Sequence, residues 1–224
     1  MDFLIFFTFG TFVGSFFNVV IYRMPRDESI IKPRSHCPAC KASIPFYRNI
    51  PLVSFILQVG KCANCQGAIS LQYPAVELIN GLIWGWSFYT LPFPEAVTAS
   101  FLSSILIAIA WIDARIYMVP LDLIVAGVVV LLFAVIFGVL SYSQVLWGIA
   151  AGVLLPGFMM GLTWLVTRRQ GMGFGDLQLG LILGAWVGPI AMILTLFFAS
   201  FLGLVAWIVI SMVKGLDRDR PLPF

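Results

Sequence analysis

Charge is what this sequence has least of. Lysine, arginine, aspartate and glutamate make up 10% of its 224 residues, where ordinary soluble domains carry about 25%. So little charge excludes a soluble globular domain of this length. Hydrophobic residues reach 61% and the mean hydropathy is +1.01, so the chain reads as a polytopic membrane protein. Other signals are missing too. The N-terminus lacks the positively charged segment and small-residue cleavage site of a secretory signal, so its apolar run is expected to remain as a transmembrane helix. Histidine occurs once, at His36, and none of the four cysteines stands outside a CxxC pair. No internal repeat or low-complexity segment is evident, and the glycines form no dinucleotide-type loop. The net charge of +3 says little by itself, and no nucleic acid is expected as a partner.

What is there is apolar and segmented. A helix needs roughly 20 residues to span about 30 Å of hydrocarbon. Seven runs qualify or come close: about 3–22, 74–92, 96–114, 119–141, 144–167, 176–188 and 189–213. The sixth has about 13 residues before Gly188-Pro189, roughly 20 Å of helix. It is too short to span alone, so either its start is drawn into the membrane by surrounding protein or the glycine-rich approach is itself partly embedded. With these spans all 13 Lys and Arg residues fall on one side. Arg23, Arg26, Lys32, Arg34, Lys41, Arg48 and Lys61 follow the first run. Arg115 follows the third, Arg168 and Arg169 the fifth, and Lys214, Arg218 and Arg220 the seventh. The positive-inside rule then puts the N-terminus outside and the C-terminus in the cytoplasm. Trp84, Trp86, Trp111, Trp147, Trp164 and Trp186 read as interface anchors near span ends.

Two CxxC pairs, Cys37-Pro38-Ala39-Cys40 and Cys62-Ala63-Asn64-Cys65, are separated by 21 residues. That spacing reads as a four-thiolate Zn2+ site with Cys37, Cys40, Cys62 and Cys65 as ligands. A segment of roughly 50 residues buries little core, so a metal would supply folding energy. The competing reading is two redox-active dithiols, which a cytoplasmic position disfavours. With four sulfurs available, His36 need not be a ligand.

Gly171-Met172-Gly173-Phe174-Gly175-Asp176 places alternating glycines ahead of a carboxylate and a new apolar run. Glycine suits a tight turn or a close approach of another chain. Asp176 is a functional candidate because an ionisable group at a membrane edge is costly to desolvate; the plain reading is a helix N-cap. A second carboxylate, Asp113, closes the third run in Trp111-Ile112-Asp113-Ala114-Arg115. The charge map puts both at the cytoplasmic face. Two carboxylates brought together divide one proton, which lets one activate water while the other polarises a scissile carbonyl. For Asp113 alone, a pair with Arg115 or a solvated helix end serves as well. Asp27, Glu28, Asp217 and Asp219 read as solvated charge.

These residues resemble the type IV prepilin peptidases, the bifunctional leader peptidases and N-methyltransferases of pilus and type II secretion systems. The resemblance rests on Gly14-Ser15-Phe16-Phe17-Asn18-Val19-Val20-Ile21-Tyr22-Arg23, Ser35-His36-Cys37-Pro38-Ala39-Cys40, Cys62 through Cys65, Tyr73-Pro74 with Glu77, Ile112-Asp113, and Gly173-Phe174-Gly175-Asp176. It implies that Asp113 and Asp176 are a catalytic pair, with Gly173 and Gly175 supporting the second. It implies cleavage of a basic leader from prepilins or pseudopilins on the cytoplasmic side. Methylation of the new N-terminus with S-adenosylmethionine follows. One departure is visible: Val119-Pro120-Leu121-Asp122 has Leu after the proline where many members have Asp, so no role is carried to Asp122. No motif for the methyl donor transfers, and that half rests on the resemblance alone.

The expected architecture is an all-α polytopic membrane protein of about seven transmembrane helices. A small cytoplasmic zinc-ribbon-like insertion follows the first. Its parts are a first transmembrane helix at 1–22, a four-cysteine zinc-binding module at 23–73, a transmembrane aspartyl protease core at 74–214 and a cytoplasmic tail at 215–224. The expected location is the bacterial inner membrane, and the expected partners are a prepilin or pseudopilin and the lipid bilayer. Two other classes stand beside this reading. A membrane scaffold presenting a zinc ribbon leaves the two aspartates unexplained, and a membrane thiol oxidoreductase requires redox-active cysteines. Among enzymes, an archaeal-type preflagellin peptidase is a nearer alternative.

Overall fold

The computed structural model describes residues 2–168 and 173–214, the last two as backbone only. Gly171 and Met172, the charges Arg169, Asp217, Arg218, Asp219 and Arg220, and the tail from 215 lie outside the described residues. The regular elements of the described residues are helices: α1 (Asp2–Arg23), α2 (Val53–Leu57), α3 (Gln72–Thr90), α4 (Phe93–Ile116), α5 (Leu121–Ile136), α6 (Tyr142–Thr167), α7 (Phe174–Val187) and α8 (Pro189–Lys214). Apart from the short α2, each helix lies on one of the seven apolar runs. Four stretches are long and apolar enough to cross a membrane: Asp2–Arg26, Phe93–Ile116, Tyr142–Thr167 and Pro189–Met212. The run at 119–141 is helical only to Ile136, where the chain turns through Gly138 at φ 73°. No strand forms among the described residues; the ribbon-like segment has only the isolated bridges His36–Ser43 and Lys61–Ala68.

The chain forms two compact units, Met1–Trp111 and Ile112–Phe224. In the first, α1 and α3 run antiparallel, and glycine sets how closely they meet. A Cβ on Gly10 would lie 2.6 Å from Trp84 Cβ, one on Gly14 2.8 Å from Glu77 Cα, and one on Gly81 2.7 Å from Thr11. Lipid supplies no hydrophobic drive between helices, so association depends on such backbone proximity and on interhelical hydrogen bonds. Asn18 Nδ2 donates to the Tyr73 carbonyl at 3.0 Å, and Gln72 Nε2 to Asn18 Oδ1 at 3.3 Å. Glu77, buried on α3, accepts the Leu52 N–H at 2.8 Å, which ties the loop between α1 and α3 to the helix pair. Trp84 is not an interface anchor: it is 2% exposed, and its indole donates to Ser104 Oγ at 3.0 Å. Its ring is in the core because the facing Gly10 leaves room for it. Trp86, Trp147 and Trp164 are exposed, as interface residues are.

In the second unit α6 and α7 are antiparallel and share two glycine contacts, Gly148 with Gly184 and Gly152 with Gly180, where each backbone lies against the other. Pro156 inside α6 removes the N–H that the Gly152 carbonyl would accept, and that carbonyl is the one lying against Gly180. The α7 helix has 14 residues, as short as the sequence requires. It stops at Gly188, φ 83°, and Pro189 starts α8 at once. The α5 helix runs parallel to α7. Val119 just before α5 meets Gly175, and Gly127 meets Ile182.

Candidate active site and metal centre

Asp176 is the third residue of α7, not its N-cap. The cap position is Gly173, in an extended conformation, and Asp176 Oδ2 accepts the Gly173 N–H at 3.0 Å. The Asp176 N–H donates back to the Gly173 carbonyl at 3.2 Å. The carboxylate therefore satisfies one of the free donors of the helix start. Gly175 is held by packing: a Cβ there would lie 2.9 Å from both Cβ and Cγ2 of Val119. Asp113 lies in the last turn of α4, half-buried like Asp176. Its carbonyl accepts the N–H of Tyr117, which closes the helix with φ 55°.

These contacts relate the two aspartates. Val119 follows Asp113 by six residues and touches the glycine that precedes Asp176. Because α5 and α7 run parallel from that contact, the end of α4 and the start of α7 lie toward the same end of the second unit. Asp122, in the first turn of α5, is exposed. Arg115 is exposed too.

The four cysteines converge. The sulfurs of Cys37, Cys40, Cys62 and Cys65 all lie within 4.8 Å of one another. A tetrahedron of 2.3 Å Zn–S bonds has S···S edges of about 3.8 Å, so the set fits a single zinc ion. Two knuckles of one design build it. Cys37 N–H donates to the Ala42 carbonyl and Cys62 N–H to that of Gly67; Ile44 N–H donates to Ser35 and Ile69 N–H to Gly60. Lys41 and Gln66, each just past its second cysteine, take φ of 60° and 57°. The sequence had carried the signal: Cys37-Pro-Ala-Cys-Lys-Ala-Ser-Ile44 and Cys62-Ala-Asn-Cys-Gln-Gly-Ala-Ile69 are a short repeat. Reading no repeat overlooked it, because the repeat is only eight residues long.

Electrostatics favours thiolates at part of this set. Asn64 Nδ2 donates to Cys40 Sγ at 3.5 Å, and mainly this bond draws the Cys40 thiol down to about 6. The Cys65 and Asn64 N–H groups lower Cys62. Cys65 has the Gly67 N–H in its favour, yet the neighbouring Cys40 and Cys62 push it up to about 11. A bound zinc ion would hold all four as thiolates. His36 stands apart from the sulfurs' cluster, with Nδ1 3.1 Å from the Arg34 carbonyl oxygen.

Sequence reading missed the paired glycines of α1–α3 and α6–α7. The signal was there in Gly10-x-x-x-Gly14, Gly81-x-x-x-Gly85, Gly148-x-x-x-Gly152 and Gly180-x-x-x-Gly184.

Comparison with known proteins covers nearly the whole chain. Residues 8–91 match the model of the bacterial peptidase A24 N-terminal domain, and residues 100–208 that of the type IV leader peptidase family. A prepilin leader peptidase/N-methyltransferase of Myxococcus xanthus is 37% identical over 96% of this chain, and the match spans 64% of that relative's length. One of the same name from Neisseria gonorrhoeae is 36% identical over 92% of the chain and 81% of its own. A type 4 prepilin-like proteins leader peptide-processing enzyme of Escherichia coli is 35% identical over 88% and 81%. No solved structure matches.

Proposed function

We propose that this chain, which belongs to the type IV leader peptidase family, removes the basic leader of type IV prepilins or type II secretion pseudopilins with Asp113 and Asp176. One observation carries the reading: the Val119–Gly175 contact at the head of the parallel helices α5 and α7. It supports a site in which the carboxylates at the end of α4 and the start of α7 face one peptide bond. The helix start favours negative charge and the helix end does not, so Asp176 acts as base on the attacking water and Asp113 as the proton donor to the scissile carbonyl. A tetrahedral intermediate collapses with the amine of the new N-terminus leaving, and the proton taken by Asp176 goes to that amine.

The relatives' names support a second activity as an N-methyltransferase; in this reading it acts on the new N-terminus, with S-adenosylmethionine as the donor. Gly10, Gly14, Gly81, Gly85, Gly148, Gly152, Gly180 and Gly184 are used in helix contacts, and none of them forms a nucleotide loop. No residue is assigned to the donor and no step is routed through it. Zinc on the four cysteines is structural in this reading: it holds two knuckles that have little core of their own. We further propose seven spans in the bacterial inner membrane, the N-terminus outside, and the zinc module and aspartates in the cytoplasm, as the placement of lysine and arginine supports.

The test is incubation of the purified chain with a prepilin and S-adenosylmethionine, read by mass spectrometry. Leader loss with an added methyl group on the same product is expected. An unprocessed prepilin from zinc-loaded, folded protein would overturn the reading; leader loss without the methyl group would remove only its second half.

A further inference from the structure

The first unit holds a cavity of about 350 Å3, within the range of about 300–1,000 Å3 that ligand pockets take. It lies between the second half of α1 and the loop after it. Phe12, Phe16 and Val19 of α1 are among its apolar lining residues, and Arg23, one turn beyond Val19, is joined by Arg34 and Asn49 among the polar ones. Phe12 and Phe16 are 43% and 50% exposed, so the apolar part is open to the surroundings of the helix. From Phe12 to Arg23 the helix rises about 17 Å, roughly half of a hydrocarbon layer of about 30 Å.

Arg23 makes the cavity unusual. It is 4% exposed. Its guanidinium donates to the carbonyls of Ser29 at 2.8 Å, Pro33 at 2.7 Å and Arg34 at 3.4 Å. All three acceptors are neutral, and among the described residues no carboxylate pairs with this buried cation. A buried charge without a counter-charge is costly. The exposed Arg34 adds a second positive charge at the same rim. The cavity therefore selects a ligand with negative charge at one end and an apolar body at the other. S-adenosylmethionine and a basic leader both carry net positive charge, so both are disfavoured there.

We propose that the cavity is a binding site for an anionic phospholipid. The phosphate sits at Arg23 and Arg34, and the upper part of an acyl chain lies along Phe12, Phe16 and Val19. Basic pockets beside membrane helices take anionic headgroups in this way. The bound lipid offsets the Arg23 charge and braces the turn that leads from α1 into the zinc knuckles. The site rests on the membrane setting and not on which bond the chain cleaves.

The experiment is native mass spectrometry of the full-length chain in mild detergent, supplied with dioleoylphosphatidylglycerol or dioleoylphosphatidylcholine. Selective retention of the phosphatidylglycerol is expected, and it should raise the thermal midpoint. Arg34→Gln lies on the surface and keeps the carbonyl that Arg23 uses. It should weaken retention about fivefold, as losing one basic group near a headgroup does. Phe16→Ala, also on the surface, should weaken it as well. Equal retention of the two lipids, or retention unchanged in both variants, would overturn the proposal. So would displacement by inorganic phosphate, which marks a bare anion site, or by S-adenosylmethionine, which marks a methyl-donor site.

Discussion

At the scale of single residues, Asp176 does two jobs that substitution can separate. Its carboxylate caps Gly173, and in the proposed reaction it takes a proton. Asparagine keeps an acceptor oxygen for the cap and loses the base. Asp176→Asn and Asp113→Asn should therefore each lower prepilin cleavage by about 100-fold or more, with the circular dichroism spectrum unchanged. Near-normal cleavage by either folded variant would remove the aspartyl mechanism. Asn64 can be treated in the same way. Its bond favours the Cys40 thiolate, and the loss of such a support typically weakens metal affinity about 10- to 100-fold. Asn64→Ala should release zinc to a competing chelator correspondingly more readily at neutral pH. The sign of the pH dependence follows from the lowered Cys40 value. Above about 6 the folded, metal-free thiol is already deprotonated while the unfolded one keeps its proton. Metal-free stability therefore rises with pH from there toward the ordinary thiol range and is lost on acidification.

At the scale of elements, the glycine contacts make a sharp contrast between positions of one residue type. A Cβ on Gly152 would run into the Gly180 carbonyl, whereas one on Gly161 or Gly203 meets nothing within 4 Å. Gly152→Ala should lower stability by about 1–3 kcal/mol through overpacking. Gly161→Ala should be neutral or stabilising by up to about 1 kcal/mol, because alanine is the better helix former. Thermal unfolding of the two variants in one detergent decides; equal effects would deny the close α6–α7 crossing its role. A related test concerns the site. Gly175→Ala presses on Val119, at 2.9 Å, and should reduce cleavage. Adding Val119→Gly, which removes both touching carbons, should restore part of it. A double variant no better than the single one would sever that contact from catalysis.

At the scale of the whole molecule, the prediction concerns sidedness. In the proposed orientation the loop near Leu91 is outside and the C-terminus inside. Alkaline phosphatase fused after Leu91 should be active, and a fluorescent protein fused at the C-terminus should fluoresce. An inactive phosphatase fusion at that loop would break the seven-span reading at α3. That helix has 19 residues but lies outside the four stretches that qualify as spans by length and composition. It carries the buried polar groups Gln72, Glu77 and Asn80, which lower its hydropathy, and these groups face α1 and the loop above it.

The sequence by itself determined the class, the helices and the candidate metal ligands. Scarce charge required a membrane, runs of apolar residues required helices, and paired cysteines marked a set suited to one shared ion. These are local properties, visible in composition and spacing. What only the tertiary structure decided is which residues meet. That Trp84 is core and that Val119 meets Gly175 depend on how closely two backbones approach. That approach depends on glycines whose partners lie far away in the chain. Periodicity records which face of a helix is apolar; it does not record which other helix will lie against it.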